Sequence, residues 1–171
     1  MDRLSRLSSI CASVSLDDRY HYTPDFDGPS IGRFEEVDGV MVYHKRHHDL
    51  VVDAVSNWKG EAATMNSLMK DELEGKSLPG SGTGKMNRAM SGALLWELRN
   101  RPKVCDVPLY RGSNNSSIKG AVPFTESRAY AQHWAKKGGG EVIALPRGAK
   151  GIRSSDWTSI FEHEKEWIIW V

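Results

Sequence analysis

Apolar side chains recur at helical spacing through the middle of the chain and cease to do so at Pro102. Val51, Ala54, Val55 and Trp58 follow i, i+3, i+4, i+7, which is one face of an α-helix, and Gly60 is expected to end it. Met65, Leu68, Met69 and Leu73 repeat the pattern as far as Gly75. Met86, Ala89, Met90, Ala93, Leu94 and Leu98 give a third helix, closed before Pro102 because the residue preceding a proline disfavours helical backbone. Beyond Pro102 the apolar runs shorten. "DVPLYRGS", "AVPFTES", "EVIALP" and "EKEWIIWV" read as strands, and "RGAKGIRSSDW" as a loop that holds at most a short strand. One helix interrupts them, "SRAYAQHWAKK", with Ala131, Trp134 and Ala135 on one face, Thr125 or Ser127 as its N-cap, and the glycines at 138–140 as its stop. Helices first and strands later predicts an α+β fold rather than alternating α/β.

Residues 1 to about 33 carry the Asp, Pro and Gly of irregular backbone, as in "DDRYHYTPDFDGPSIG", and are expected to form an extension on the domain or a partly mobile arm. "FEEVDGVMVYHKR" reads as a hairpin turning at Asp38-Gly39. The expected organisation is an extension over 1–40 and a single domain over 41–171. With 39% hydrophobic and 26% charged residues the chain can build a core, and its net charge of +1 does not mark a general polyanion binder. The near-neutral charge argues mildly against nucleic acid without excluding a local site. Cys11 and Cys105 have no neighbour at metal or redox spacing, so two reduced thiols in the cytoplasm are expected. No apolar run approaches the ~20 residues needed to span a bilayer, and serines break up the apolar region that a signal peptide would need.

Four segments are candidate sites. "LPGSGTGKM" (78–86) has the look of a phosphate-binding loop, but Pro79 stands at the first glycine position and Met86 replaces the magnesium-ligating hydroxyl, so a flexible inter-helix loop is expected. In "YHKRHHD", His44 and His48 have metal-compatible spacing, but Lys45 and Arg46 would oppose a cation and no third ligand is evident. In "PLYRGS", Arg111 ends a short apolar strand and Gly112 follows it; arginine grips a phosphate with two parallel hydrogen bonds, and glycine admits a ligand close to the backbone.

The fourth is the tail, "FEHEKEWIIWV". In a continuous strand Glu162, Glu164 and Glu166 share a face, adjacent ones ~7 Å apart, with Ile168 and Trp170 continuing that face toward the core. Glu166 then lies where polar surroundings meet apolar ones, partly desolvated and rigidly held, which suits a catalytic carboxylate as well as a wet strand end.

Together these segments resemble the ADP-ribosyltransferases of the arginine–serine–glutamate class, a family that includes bacterial toxins and phage enzymes. Tyr110-Arg111-Gly112 is similar to the family's first motif, and Glu164-Lys165-Glu166 running into Trp167-Ile168-Ile169 is similar to its Glu-x-Glu motif. "EVIALPRGAKGI" resembles the penultimate strand, and "NWKGEAATMNSLMKDEL" the helical first lobe. The arginine and glutamate motifs stand in the family's order, about fifty residues apart, and the resemblance covers roughly residues 45–171. The middle motif departs from the pattern. Pro123 occupies the position of the leading serine, Thr125 follows at the third position, and Thr125 or Ser127 is left to supply a compensating hydroxyl.

The resemblance implies an α+β fold with a helical N-terminal lobe packed on a split core of two small, mainly antiparallel β-sheets. It implies transfer of ADP-ribose from NAD to a protein acceptor, with Glu166 stabilising the ribosyl cation and Glu164 selecting an acceptor arginine. Arg111, with Tyr110 and Gly112, would bind NAD, and Thr125 or Ser127 would orient Glu166. Trp157 and Phe161 would touch the target, and no metal is implied. The expected partners are NAD and a host or intracellular target protein, with no membrane and a monomeric chain. A short form without a signal or translocation segment is expected to be phage-encoded or intracellular, and to act in the cytoplasm. An NAD glycohydrolase, a nucleic-acid ADP-ribosyltransferase and an inactive binding or structural relative are the other readings.

Overall fold

Asn57, rather than Gly60, ends the first helix. The structure is a computed structural model that describes residues 22–28, 34–37, 40–43, 45–75, 82–113 and 119–171. Cys11, the Asp38-Gly39 turn, His44 and residues 78–81 of the glycine-rich segment lie outside the described residues. The chain divides into two compact units, Met1–Trp96 and Glu97–Val171. Four α-helices are described: α1 (His47–Ser56), α2 (Trp58–Leu73), α3 (Gly82–Asn100) and α4 (Arg128–Gly138). Asn57 separates α1 from α2, its N–H and its side-chain amide both donating to Asp53 O, and Gly60 sits inside the first turn of α2. Among the described residues no helix is long and apolar enough to cross a membrane.

In the first unit, Val51, Ala54, Val55, Trp58, Met65 and Met69 are buried as the helical spacing predicts, together with Ala89, Met90, Ala93 and Leu94 of α3; Leu50 and Leu95 are buried as well. Leu73 is exposed. Part of the N-terminal segment is ordered against these helices. Asp25 O accepts from His47 N at 3.0 Å, Tyr22 OH pairs with His47 Nδ1, and the Phe26 ring meets Trp96 edge-on at 5.6 Å. Strands β1 (Phe34–Val37) and β2 (Val40–Tyr43) form the expected antiparallel hairpin.

The second unit holds β3 (Lys103–Val104), β4 (Leu109–Ser113), β5 (Ala121–Thr125), α4, β6 (Glu141–Leu145), β7 (Lys150–Arg153) and β8 (Glu166–Trp170). The six strands form one antiparallel sheet in the order β3-β7-β8-β5-β4-β6. The expectation of two separate small sheets is corrected to one sheet of two leaves. Every residue of β4 pairs with β6 and every residue of β5 pairs with β8, whereas β4 and β5 meet at the single pair Tyr110↔Thr125. The α+β class stands, built from four described helices, the hairpin and this sheet.

Strand alternation sorts the core. Val122 and Phe124 of β5 lie beside Trp167 and Ile169 of β8, with Leu109 and Cys105 completing a buried cluster. On the other face Ile168 is fully buried, but Trp170 is 38% exposed, so the apolar end of that face is open and its carboxylate end is covered. Ser127 caps α4, its Oγ accepting from Tyr130 N at 3.2 Å, and Gly139 closes the helix at φ 69°. Ala131 and Ala135 are buried as expected, whereas Trp134 is 45% exposed and belongs to the outer face. The small residues point at β4 because the helix lies directly on it. A Cβ on Gly112 would come within 2.3 Å of Ala131 O and 2.4 Å of Ala135 N.

Gly112→Ala is therefore expected to cost about 1–3 kcal/mol through overpacking against backbone atoms that cannot swing away. Gly60→Ala, whose Cβ meets nothing within 4 Å, is expected to stabilise by about 0.5–1 kcal/mol. Denaturant titration of the two variants checks the pair. Burial raises the Cys105 thiol above its ordinary value of 9.0, so less thiolate is present near neutral pH than for a free thiol. Alkylation of Cys105 at pH 8 is expected to be slow in the native protein and fast in denaturant.

Candidate active site

The place where β4 leaves β5 is built from three neighbouring strands. Glu166 opens β8 and pairs with Thr125 of β5 on one side. On its other side β7 runs antiparallel, with Ile152 opposite Ile168 and Arg153 opposite Trp167. One further step of that register brings Ser154 beside Glu166, where the chain bends into a short 3-10 turn over Ser154–Asp156. Ser154 Oγ donates to Glu166 Oε1 at 2.7 Å, with Ser154 0% and Glu166 5% exposed.

Arg111 bridges the split. Its Nη1 donates to Pro123 O at 3.0 Å, and its Nε is buried without a hydrogen-bond partner. Burial pulls the pKa of the guanidinium below its ordinary value, and the negative charge of Glu166 opposes that shift. A buried N–H without a partner costs about 1–3 kcal/mol. An acceptor oxygen at this point would recover that energy.

Pro123 explains why the strands part. In an antiparallel strand the N–H and C=O of one residue point to the same side. The carbonyl of Pro123 points toward Arg111 of β4, so its nitrogen does too. A proline there removes no bond to β8 and denies β4 a donor, as proline does at a sheet edge. The sequence presents Pro123 as a lost hydroxyl, and the structure adds that it keeps β5 from zipping onto β4.

The expected continuous strand across the three glutamates is corrected. Glu162–Glu164 form a 3-10 turn, and β8 starts only at Glu166. Between them Lys165 adopts φ 46°, ψ 48°, the left-handed conformation, which reverses the chain from turn to strand. Glu162, Glu164 and Glu166 therefore do not share a strand face. Glu164 is buried, its side chain 8% exposed and His163 Nε2 3.8 Å from its carboxylate.

Other expected site residues take different parts. Thr125 Oγ1 donates to Glu164 O at 2.6 Å and accepts from Ser127 N at 3.0 Å, so it fastens the glutamate turn to the start of α4. The hydroxyl that meets Glu166 is that of Ser154, a residue without a role in the sequence reading. Its signal becomes readable once β7 is set in register against β8. Tyr110 supplies the one joining pair, with Arg128 Cζ 5.9 Å from its ring centroid. Phe161, expected to touch a target, is 5% exposed. Trp157 is half-buried, its N–H donating to Ser154 O at 3.1 Å. Among the described residues, no group of three His, Cys, Asp or Glu side chains is placed to hold a metal ion.

Comparison with protein families, with curated proteins and with solved structures gave no match.

Because left-handed backbone costs a non-glycine residue roughly 1–2 kcal/mol, Lys165→Gly is expected to leave stability within about 1 kcal/mol of the parent. Lys165→Val, β-branched in the same conformation, is expected to lose more than that. Equilibrium unfolding of both variants measures the difference, and equal stabilities would contradict the turn.

Proposed function

We propose that the split between β4 and β5 is an NAD-cleaving site, and that the chain is a mono-ADP-ribosyltransferase acting on a protein acceptor, with arginine the favoured side chain. The observation that carries this reading is the pairing of opposites at the split. A buried carboxylate, fixed by a hydroxyl, lies close enough to a half-buried guanidinium to influence its charge, and the guanidinium keeps one buried N–H unpartnered. The resemblance of Tyr110-Arg111-Gly112 and Glu164-Lys165-Glu166 to the family's motifs points the same way.

The chemistry follows from the bond. The C1′–N linkage of NAD joins ribose to a cationic pyridinium, and its electron pair leaves with nicotinamide, which becomes neutral. Positive charge spreads over C1′ and the ring oxygen in an oxocarbenium-like transition state. Glu166, a fixed anion in surroundings of low polarity, stabilises that charge more strongly than water would, and does so without reorganising. Its carboxylate accepts a hydrogen bond from the ribose 2′-hydroxyl. Arg111 holds a phosphate of the dinucleotide through N–H groups not engaged by Pro123. The acceptor nitrogen then bonds to C1′ and its proton passes to the Glu164 carboxylate and on to solvent.

One observation favours a second reading. Glu164 is buried, so the carboxylate assigned to the acceptor is less open than a bulky protein side chain needs. Water reaches such a group more easily than an arginine does, and with water as acceptor the protein is an NAD glycohydrolase. The target is an intracellular or host protein in the first reading, and no protein partner is required in the second.

Incubation with adenylate-labelled NAD and cell lysate separates the two. Labelled protein that disappears with Glu164→Gln, while nicotinamide release persists, supports transfer to arginine. Free ADP-ribose without labelled protein assigns water. Arg111→Ala is expected to raise the calorimetric Kd for NAD about tenfold or more, since a hydrogen bond to a charged group contributes roughly 1.5–3 kcal/mol. An unchanged Kd would contradict the phosphate role.

A further inference from the structure

The carboxylate proposed to stabilise the ribosyl cation must point in one direction, and what fixes it comes from an unexpected side. The resemblance places the hydroxyl on or just after β5, where Pro123, Thr125 and Ser127 are the available positions. Pro123 has none, Thr125 donates to Glu164 O, and the Ser127 hydroxyl accepts from Tyr130 N at the start of α4. On the opposite flank of β8, Ser154 Oγ lies 2.7 Å from Glu166 Oε1 with both residues buried.

We propose that Ser154 is the positioning residue for Glu166, supplying from the end of β7 the hydroxyl that Pro123 cannot supply from β5. The inference rests on the reading of Glu166 as the cation-stabilising group. A hydroxyl donating to a carboxylate at this distance makes a charge-assisted bond, roughly twice as strong as a neutral one. With Oε1 held, rotation of the carboxylate about its last torsion is restricted and its second oxygen has one direction. That torsion is otherwise broad, because it joins sp³ to sp² carbon.

The donor is itself rigid. Ser154 O accepts from Trp157 N at 3.1 Å and from Thr158 N at 3.0 Å, which locks the turn around it. Asp156 at the end of that turn pairs with Lys103 of β3 at 2.7 Å. Ser154 is thus tied to β7 by chain continuity, to the following loop through its carbonyl, and to β3 through its turn. Glu166 is tied to β5 by register. The hydrogen bond between them joins two independently fixed points, as a preorganised site requires. It also frees position 123 for a residue that holds the split open.

The test uses Ser154→Thr and Ser154→Val, which add similar bulk to a fully buried site and differ by one hydroxyl. In nicotinamide-release assays Ser154→Thr is expected to keep a kcat about 10- to 100-fold above that of Ser154→Val, the loss typical of a misaimed catalytic group, with the KM values for NAD within about threefold. A double-mutant cycle gives a second measure that survives failure of the valine variant to fold. Ser154→Ala is expected to lower kcat in the parent and to have no further effect in a Glu166→Gln background. Equal kcat for the threonine and valine variants, or an equal fold-loss from Ser154→Ala in both backgrounds, overturns the proposal. A parent protein that releases no nicotinamide overturns the reading of the site itself, an outcome distinct from an active parent indifferent to residue 154.

Discussion

A single strand pair, Tyr110↔Thr125, holds the two leaves of the sheet together, and the candidate site exists because there is only one. Had β4 and β5 zipped further, ladder hydrogen bonds would fill the space where Arg111 meets Pro123. Two devices prevent this. Pro123 removes a donor on the side that faces β4, and α4 lies so close on Gly112 that β4 is held from its other face. The same helix is capped by Ser127, two residues beyond Thr125, which pairs with Glu166. The element that positions the arginine strand therefore starts at the carboxylate.

Opening a sheet leaves polar groups to satisfy, and the solutions are the site residues. Pro123 O receives Arg111, and Glu166 receives Ser154. Thr125 Oγ1 ties the Glu164 carbonyl, so the turn bearing the second carboxylate is fastened to the strand beside the first. The negative charge of Glu166 acts on the Arg111 guanidinium, whose Nε is left unpartnered.

Much of this was legible in the residues. Helical periodicity located the core of α1 to α3, since burial selects one face and the spacing of that face is fixed by the helix. The strands after Pro102, the cap at Ser127 and the stop at Gly139 followed from equally local chemistry. The misses share a cause. Gly60 was expected to end a helix because of its propensity, but the side-chain amide of Asn57 holds the actual break. Alternation along "FEHEKEW" assumed one strand, whereas Lys165 in left-handed backbone divides it, and a lysine gives no warning of positive φ. Phe161 and Trp134 exchanged expected roles, one buried and the other exposed, because burial depends on what lies opposite. Ser154 was invisible for the same reason, since its partner is fixed by the pairing of β7 with β8 and not by nearby sequence.

In the proposed reaction Glu166 acts as a charge. Glu166→Gln keeps the shape of the side chain and an oxygen that can accept from Ser154, so the fold is retained while the charge is lost. Nicotinamide release from NAD, compared between the parent and Glu166→Gln at equal folded concentration, tests this most directly. Turnover by the parent and a loss of about 100- to 1,000-fold or more in the variant are expected. Turnover by Glu166→Gln at the parental rate would contradict that role.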